Sequence, residues 1–485
     1  MKTLLQVLSE DEKDQVHERT LSVLANTGVR VETSKGRQIL QTAGAQVDEH
    51  THVVRFPRVF VEESLQLAPK KFSLGARRPG WDLEMNAGKC TLSADGEGMF
   101  VGDWETGERQ ESNFNDWLTA TRLMDAIDEI GVYWAIVEGG SGGGTPADLV
   151  KYWRTIFSNF SKHVQDATPG AAYSPWLLEV LQVIFGDKET IRKQHPFSFL
   201  VCPQSPLIID KQYTDGYLEL LGWDIPIAVM PMPLMGGTAP GSLISTVIIA
   251  NCEVLAMLCL VQAGAPGTPF IYAPALAISD PRSGVYAAGS IENGLLGAAA
   301  TEMARYYGIP AESSGGGASH FIPTVQGGYE RAMNALLPVL SWPDILVGVG
   351  LLGGSMYLSL EQLLIDVEVF KMSVRAHQGI DSGEGKWLDD VISRVGPGGY
   401  FMGERSTVKN LRSGEWYISK FGWHDSYKAW ISAGKPTLLE EARQKVKHLL
   451  VNHEPLPLDE HVEQELDRIQ DRAREKTEIG DQQED

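Results

Sequence analysis

The chain has 485 residues, 43% of them hydrophobic, enough to bury a large core in one extended domain with additions. A formal charge of −21 argues against a nucleic-acid or anionic-membrane surface, and the opening MKTLLQVLSEDEKDQ turns acidic too early for a signal peptide, so a cytoplasmic protein is expected. Four cysteines without a CxxC pair point to reduced thiols, and eleven scattered histidines without HxH or HExxH give little support for a zinc site.

Residues 1–88 predict a small helical cap. Ser9 ahead of Asp11 and Glu12 marks the start of an amphipathic helix. Further helices are expected over Ser34–Thr42 and Pro57–Leu67, with HVVRF between them as a short strand. Over residues 89–378 the pattern is strand, loop, helix, repeated eight times. The strands are CTLSA (90–94), VYWAIVE (132–138), HVQDA (163–167), FSFLVCP (197–203), IPIAVMP (225–231), PFIYAP (269–274), IPAESS (309–314) and DILVGVG (344–350). A hairpin, MFVGDWETGERQ, turns at Thr106-Gly107 after the first strand, and a GGSGGG loop follows the second. Helices are expected over Ala147–Asn159, Ser174–Phe185, Lys211–Leu221, 243–262 and Leu360–His377, among others.

The strands read as short and apolar on both faces, as parallel strands covered by helices should be. Eight units favour a closed (β/α)8 barrel, the TIM-barrel architecture, over an open sheet. The longest apolar run, Ser242 to Gly264, is interrupted by Asn251, Glu253 and Gln262 and reads as a buried barrel helix, not a membrane span. Residues 379–485 add a C-terminal helical extension with a loop at GPGGYFMGER (396–405). Its last helix is expected over about Leu458–Arg474, and the polar tail KTEIGDQQED is expected to be disordered. Cap and extension are expected to border the barrel mouth.

In such a barrel the active site lies where strands end and loops begin. Those positions hold Asp95, Glu138, Gln204, Met232, Tyr272 and Ser319–Phe321, with Tyr357 and Glu361 after the eighth strand. The stretch GIPAESSGGGASHFIPTVQGGYE (308–330) stands out. Its three glycines let the backbone approach a ligand, and His320 and Phe321 precede the next helix. No Schiff-base lysine, metal cluster, nucleophile–base pair or phosphate cradle is visible. What remains is aromatic and weakly acidic: Trp134, Tyr272, Phe321 and Tyr357 with Glu138 and Glu361. Such a pocket suits a quaternary ammonium held by cation–π contacts. Equally, each aromatic fits the core, the two glutamates could pair, and His320 could tie its own loop.

The runs PIAVMPMPLMGGTAPGSL, ANCEVLAML, IPAESSGGGASHFIPTVQGGYE and VGVGLLGGSMYLSLEQLLIDVEVF resemble the trimethylamine methyltransferase family of corrinoid-dependent methyltransferases, as do GDWETGER and GPGGYFMG. The resemblance covers nearly the whole chain. It implies a barrel that moves a methyl group from an amine to the cobalt of a separate corrinoid protein, within one-carbon metabolism. Pyrrolysine members carry that residue at about Phe321, whereas this chain has His320 and Phe321. It is therefore similar to the non-pyrrolysine branch, which demethylates glycine betaine, proline betaine or carnitine. Relatives often show a His-Thr pair where this chain has Ser406-Thr407. The resemblance implies His320 and Phe321 as the reactive-centre residues, and Trp134, Glu138, Gln204, Tyr272, Tyr357 and Glu361, read from the strand ends and the aromatic set, are expected around the substrate. It also implies no tightly bound cofactor and a corrinoid (cobalamin) supplied by the partner; a homo-oligomer is expected. The alternatives are another methylated amine as donor, or a betaine-binding barrel without catalysis.

Overall fold

A computed structural model describes residues 4–102, 106, 108–140 and 144–484, with side chains to Lys476. Parts of the expected hairpin turn (103–105 and 107) and of the GGSGGG loop (141–143) lie outside the described residues.

Eight parallel strands make one sheet. They are β1 (Thr91–Ala94), β2 (Ile130–Tyr133), β3 (His163–Asp166), β4 (Phe197–Val201), β5 (Ile227–Val229), β6 (Phe270–Tyr272), β7 (Glu312–Ser314) and β8 (Ile345–Val349), bonded in the order β6-β5-β4-β3-β2-β1-β8-β7. The ring closes between β6 and β7. There Tyr272 N donates to Pro310 O at 2.9 Å, and Tyr272 and Ala311 form a parallel bridge. The eight-unit pattern thus folds as the expected (β/α)8 barrel. Two helices, Ser34–Thr42 and Ser174–Phe185, have the bounds read from sequence. A seven-residue helix, Lys188–Gln194, was not expected; Asp187 caps it by accepting from Thr190 N.

The strands are shorter than their apolar runs, and they are not apolar on both faces. After Tyr133 the chain leaves the sheet, so Trp134 to Glu138 belong to the mouth. Ser93, His163, Gln165, Asp166, Ser198 and Glu312 are buried polar residues on the strands. Such groups need partners, and His163 shows how they are met: Nδ1 lies 2.9 Å from Gly75 O and Nε2 lies 2.8 Å from Ser198 Oγ.

Two apolar cores result. The larger joins the outer barrel surface to its helices and to both terminal segments, from Leu8 to Ala473. The smaller fills the barrel, with Val132, Leu200, Ala228, Ile271 and Ile345 facing inward. Phe72, Leu74, Leu83 and Met85 belong to it. They come from a small hairpin, Ser73–Leu74 paired with Leu83–Glu84, that closes the floor at the N-terminal ends of the strands. This part of the cap therefore lies opposite the mouth it was expected to border. The cap helices, Glu10–Asn26, Ser34–Thr42 and Arg58–Leu67, pack on the flank against Leu243–Gly264. That helix has the length and hydropathy to cross a membrane, but it is mostly buried in protein.

In the extension, Leu438–Asn452 packs on Phe114–Asp125 and Leu360–Gln378. The last helix, Glu460–Glu484, packs across Pro146–Asn159 and Ser174–Phe185. Its backbone continues ten residues past Arg474, into the tail expected to be disordered; KTEIGDQQED contains no proline to stop it.

Candidate active site

At the C-terminal ends of the strands the barrel encloses a cavity of about 400 Å³, the size of a small-molecule site. Its apolar wall includes Leu200, Met230, Met232, Ala275 and Trp134. Trp134 holds its place because residue 96 is glycine. A Cβ at Gly96 would stand 1.8 Å from Trp134 Nε1. A second glycine approach joins two lips: Gly348 has a φ of +127°, and a Cβ there would meet Gly315 O at 2.2 Å.

The polar part of the wall is mainly acidic. Glu312, on β7, is 1% exposed. Gln165 on β3 donates to Glu312 Oε2 at 3.0 Å, while Glu312 Oε1 and Ser93 Oγ have no hydrogen-bond partner among the described residues. Burial pushes the Glu312 carboxyl up to about 7. Glu97 stands on the accessible wall, and the protein crowded around it, with Glu138 nearby, also pushes it up to about 7. Asp95 is raised by burial, against a hydrogen bond from Ser355 Oγ. Glu97 and Ser355 both have left-handed backbones, at φ 49° and 66°, a conformation that costs non-glycine residues about 1 kcal/mol or more and tends to cluster at functional sites.

One arginine fastens the lips. Arg331, from helix Val325–Ser341, donates to Gly316 O at 2.6 Å after β7 and to Leu351 O after β8, and it pairs with Asp366. Asp366 in turn accepts from Gly350 N at 2.8 Å. Glu330 on the same helix accepts from Ser319 N at 2.8 Å. The glycine-rich loop is thus anchored at several points rather than loose.

The residues singled out from sequence fall in different places. Trp134 lines the cavity, as do Asp95 and Met232. Phe321 and Tyr357 meet edge to face with centroids 5.4 Å apart, at a rim beside cavity-lining Ser355, and Phe321 is 59% exposed. His320 Nδ1 lies 3.1 Å from Ile322 O, so the ring contacts its own loop. Tyr272 lies behind the wall, its hydroxyl donating to Asn251 Oδ1 at 3.0 Å. Gln204 and Glu138 are exposed, Gln204 closing a turn with Ile208 through backbone bonds. Glu361 accepts from Arg443 Nε at 3.1 Å and lines a separate polar cleft with Arg109. Thr407, of the Ser-Thr pair, donates to Phe401 O at 2.7 Å. Gln165, Glu312 and Glu97 were missed. The signal for the first two was a polar residue inside each of two short strands, HVQDA and IPAESS. Among the described residues no group of three or more His, Cys, Asp or Glu is arranged to hold a metal.

The profile described as trimethylamine methyltransferase (MTTB) matches residues 2–480. Trimethylamine methyltransferase MttB1 of Methanosarcina acetivorans is 31% identical over 475 residues, covering 97% of this chain and 95% of that protein. The glycine betaine methyltransferase of Desulfitobacterium hafniense is 27% identical over 470 residues, covering 95% of each. Among solved structures, the monomethylamine methyltransferase MtmB of Methanosarcina barkeri aligns over 90% of this chain and 92% of its own, at 12% identity and a TM-score of 0.47. With a profile match spanning nearly every residue, this barrel is a methyltransferase and belongs to the trimethylamine methyltransferase family.

Proposed function

We propose that this chain takes a methyl group from a small quaternary amine and passes it to the cobalt of a corrinoid held by a separate protein. The observation that carries this reading is the cavity: apolar and acidic walls at the mouth of a barrel of this family, with no metal-holding group among the described residues. A relative named for glycine betaine, and Phe321 at about the pyrrolysine position, support a quaternary donor.

In the transfer the C–N bond breaks and its electron pair stays on nitrogen, while the methyl carbon accepts a pair from the incoming nucleophile. A quaternary ammonium leaves as a neutral amine, so no side chain has to deliver a proton. The work of this chain is to hold, orient and desolvate the donor. Trp134 and the Met230–Met232 wall enclose the methyls, and the acids offset the cation's charge. The cavity, about 400 Å³, has the volume for a donor only. A corrinoid, whose reduced cobalt is the nucleophile, is accordingly read as a group that a docked partner presents at the mouth.

The test is methylation of free cob(I)alamin by purified protein, with trimethylamine and a panel of quaternary amines as donors. Transfer from a quaternary amine above the protein-free rate is expected. Transfer from trimethylamine alone would replace this reading with a tertiary-amine enzyme.

A further inference from the structure

We propose that the barrel interior is a cation subsite built around Glu312, and that the donor it takes is a quaternary ammonium without a carboxylate, of the tetramethylammonium or choline kind. This rests on the methyltransferase reading above and narrows it. It departs from the glycine betaine expected from sequence.

Glu312 lies at the cavity floor with one oxygen held by Gln165 from across the barrel and the other unmatched. A buried acceptor normally has a partner, and an unmatched carboxylate oxygen beneath a cavity is stabilised by positive charge placed above it. A quaternary ammonium has no N–H to donate, so it is attracted through Coulomb interaction rather than a hydrogen bond, and it needs no contact closer than its own methyls allow. Glu97 adds a second carboxyl on the accessible wall.

A carboxylate on the donor meets the opposite environment. Asp95, Glu97 and Glu312 line the cavity, and among the described residues no Lys, Arg or His does. Each of the wall's amides has at least one N–H already engaged. Asn293 Nδ2 donates to Ala287 O at 3.0 Å and Ala288 O at 3.1 Å, and Asn334 Nδ2 donates to Ala288 O at 2.7 Å. Gln165 gives one N–H to Glu312, and the Ser355 hydroxyl is given to Asp95. An anionic end in this cavity would lie among carboxyls with no charge to match it.

The experiment is calorimetric titration of tetramethylammonium, choline and glycine betaine into wild type, Glu312→Gln and Glu97→Gln, with folding checked by thermal unfolding. The two cations are expected to bind about tenfold or more tighter than glycine betaine, and Glu312→Gln, which keeps the shape and removes the charge, to weaken them about tenfold. Glu97→Gln should weaken them by a smaller factor. Glycine betaine binding tightest to wild type, or tetramethylammonium binding both variants as it binds wild type, overturns the proposal. Should Glu312→Gln fail to fold, Glu97→Gln decides, a loss supporting and no change refuting. Methyl transfer separates the two levels. Transfer from glycine betaine but neither cation sinks this inference and leaves the methyltransferase reading standing; transfer from no methylated ammonium sinks both.

Discussion

At the rim, Arg109 lies over the Phe100 ring at 4.4 Å and donates to the Tyr357 hydroxyl at 2.7 Å, with Tyr357 stacked on Phe100 and Phe321 set edge-on. Inside, Trp134 faces a cavity shared with Glu97 and Glu312, and one oxygen of Glu312 is unmatched. Both regions combine aromatic rings with charge, the rim on the loops after β1, β7 and β8, the interior on β7 and the loops after β1 and β2. The rim already has its cation, so an ammonium arriving there competes with Arg109 for the same rings. In the interior the same attraction is unspent. Aromatic composition marks where a cation could bind; the balance of charges already present decides where it gains most.

The sharpest way to break this contrast is to remove what holds the two regions apart. Arg331→Ala leaves Asp366 buried without its partner and frees the loops after β7 and β8, which should cost about 3–5 kcal/mol of stability. Denaturant unfolding measures it, and an unchanged midpoint would mean the lips stand without this strut. Next in size is Gly96→Val, which drives the Trp134 indole from the wall. Donor affinity should fall about tenfold, from lost cation–π attraction and shape, with the fold intact. Calorimetry showing wild-type affinity would take Trp134 out of the site.

Acidity tests the interior alone. Burial lifts Glu312 and Glu97 from about 4.5 to about 7, with Asp166 nearby lifted to about 8. A permanently charged donor prefers the ionised carboxyls, so tetramethylammonium should bind several-fold tighter at pH 8 than at pH 6. Stability runs the other way. The folded protein holds these protons more tightly than the unfolded chain, so their contribution is complete below about pH 4.5 and is lost as pH rises through 7. Affinity that is flat with pH would show the acids do not meet the cation. The smallest effects belong to the rim. Phe321→Ala, removing a ring already more than half exposed, should weaken binding only a few-fold, roughly 1 kcal/mol. His320→Ala should change tetramethylammonium and glycine betaine alike, because its ring contacts its own loop. A selective loss for glycine betaine would move the carboxylate end to the rim.

The order of strands and helices was legible because parallel strands and their covering helices differ in length and apolar period, units such as Ser174–Phe185 being bounded by strong signals. The cavity was legible only in part. Counting site positions from the ends of the apolar runs reached Asp95 and Met232, which line it, but also Glu138 and Gln204, which are exposed. The true strands stop after three to five residues, so the cavity reaches down to side chains within them, Gln165 and Glu312. Aromatic type was equally ambiguous. Tyr272 and Trp134 both lie within apolar runs, yet one hydroxyl finds Asn251 behind the wall while the other ring stays at the mouth because position 96 has no side chain. That outcome depends on contacts across the fold, which spacing along the chain does not encode.

The hairpin that seals the barrel floor has a kinetic consequence. Phe72, Leu74, Leu83 and Met85 fill the end opposite the mouth, so donor arrives and spent amine departs by the same route. Anything docked over the mouth blocks both directions at once. With a partner docked there as proposed, turnover would run in a fixed order: donor loading, docking, transfer, undocking, amine escape. A partner that binds too tightly would trap the product and slow the cycle, so a brief encounter serves this enzyme better than a lasting complex.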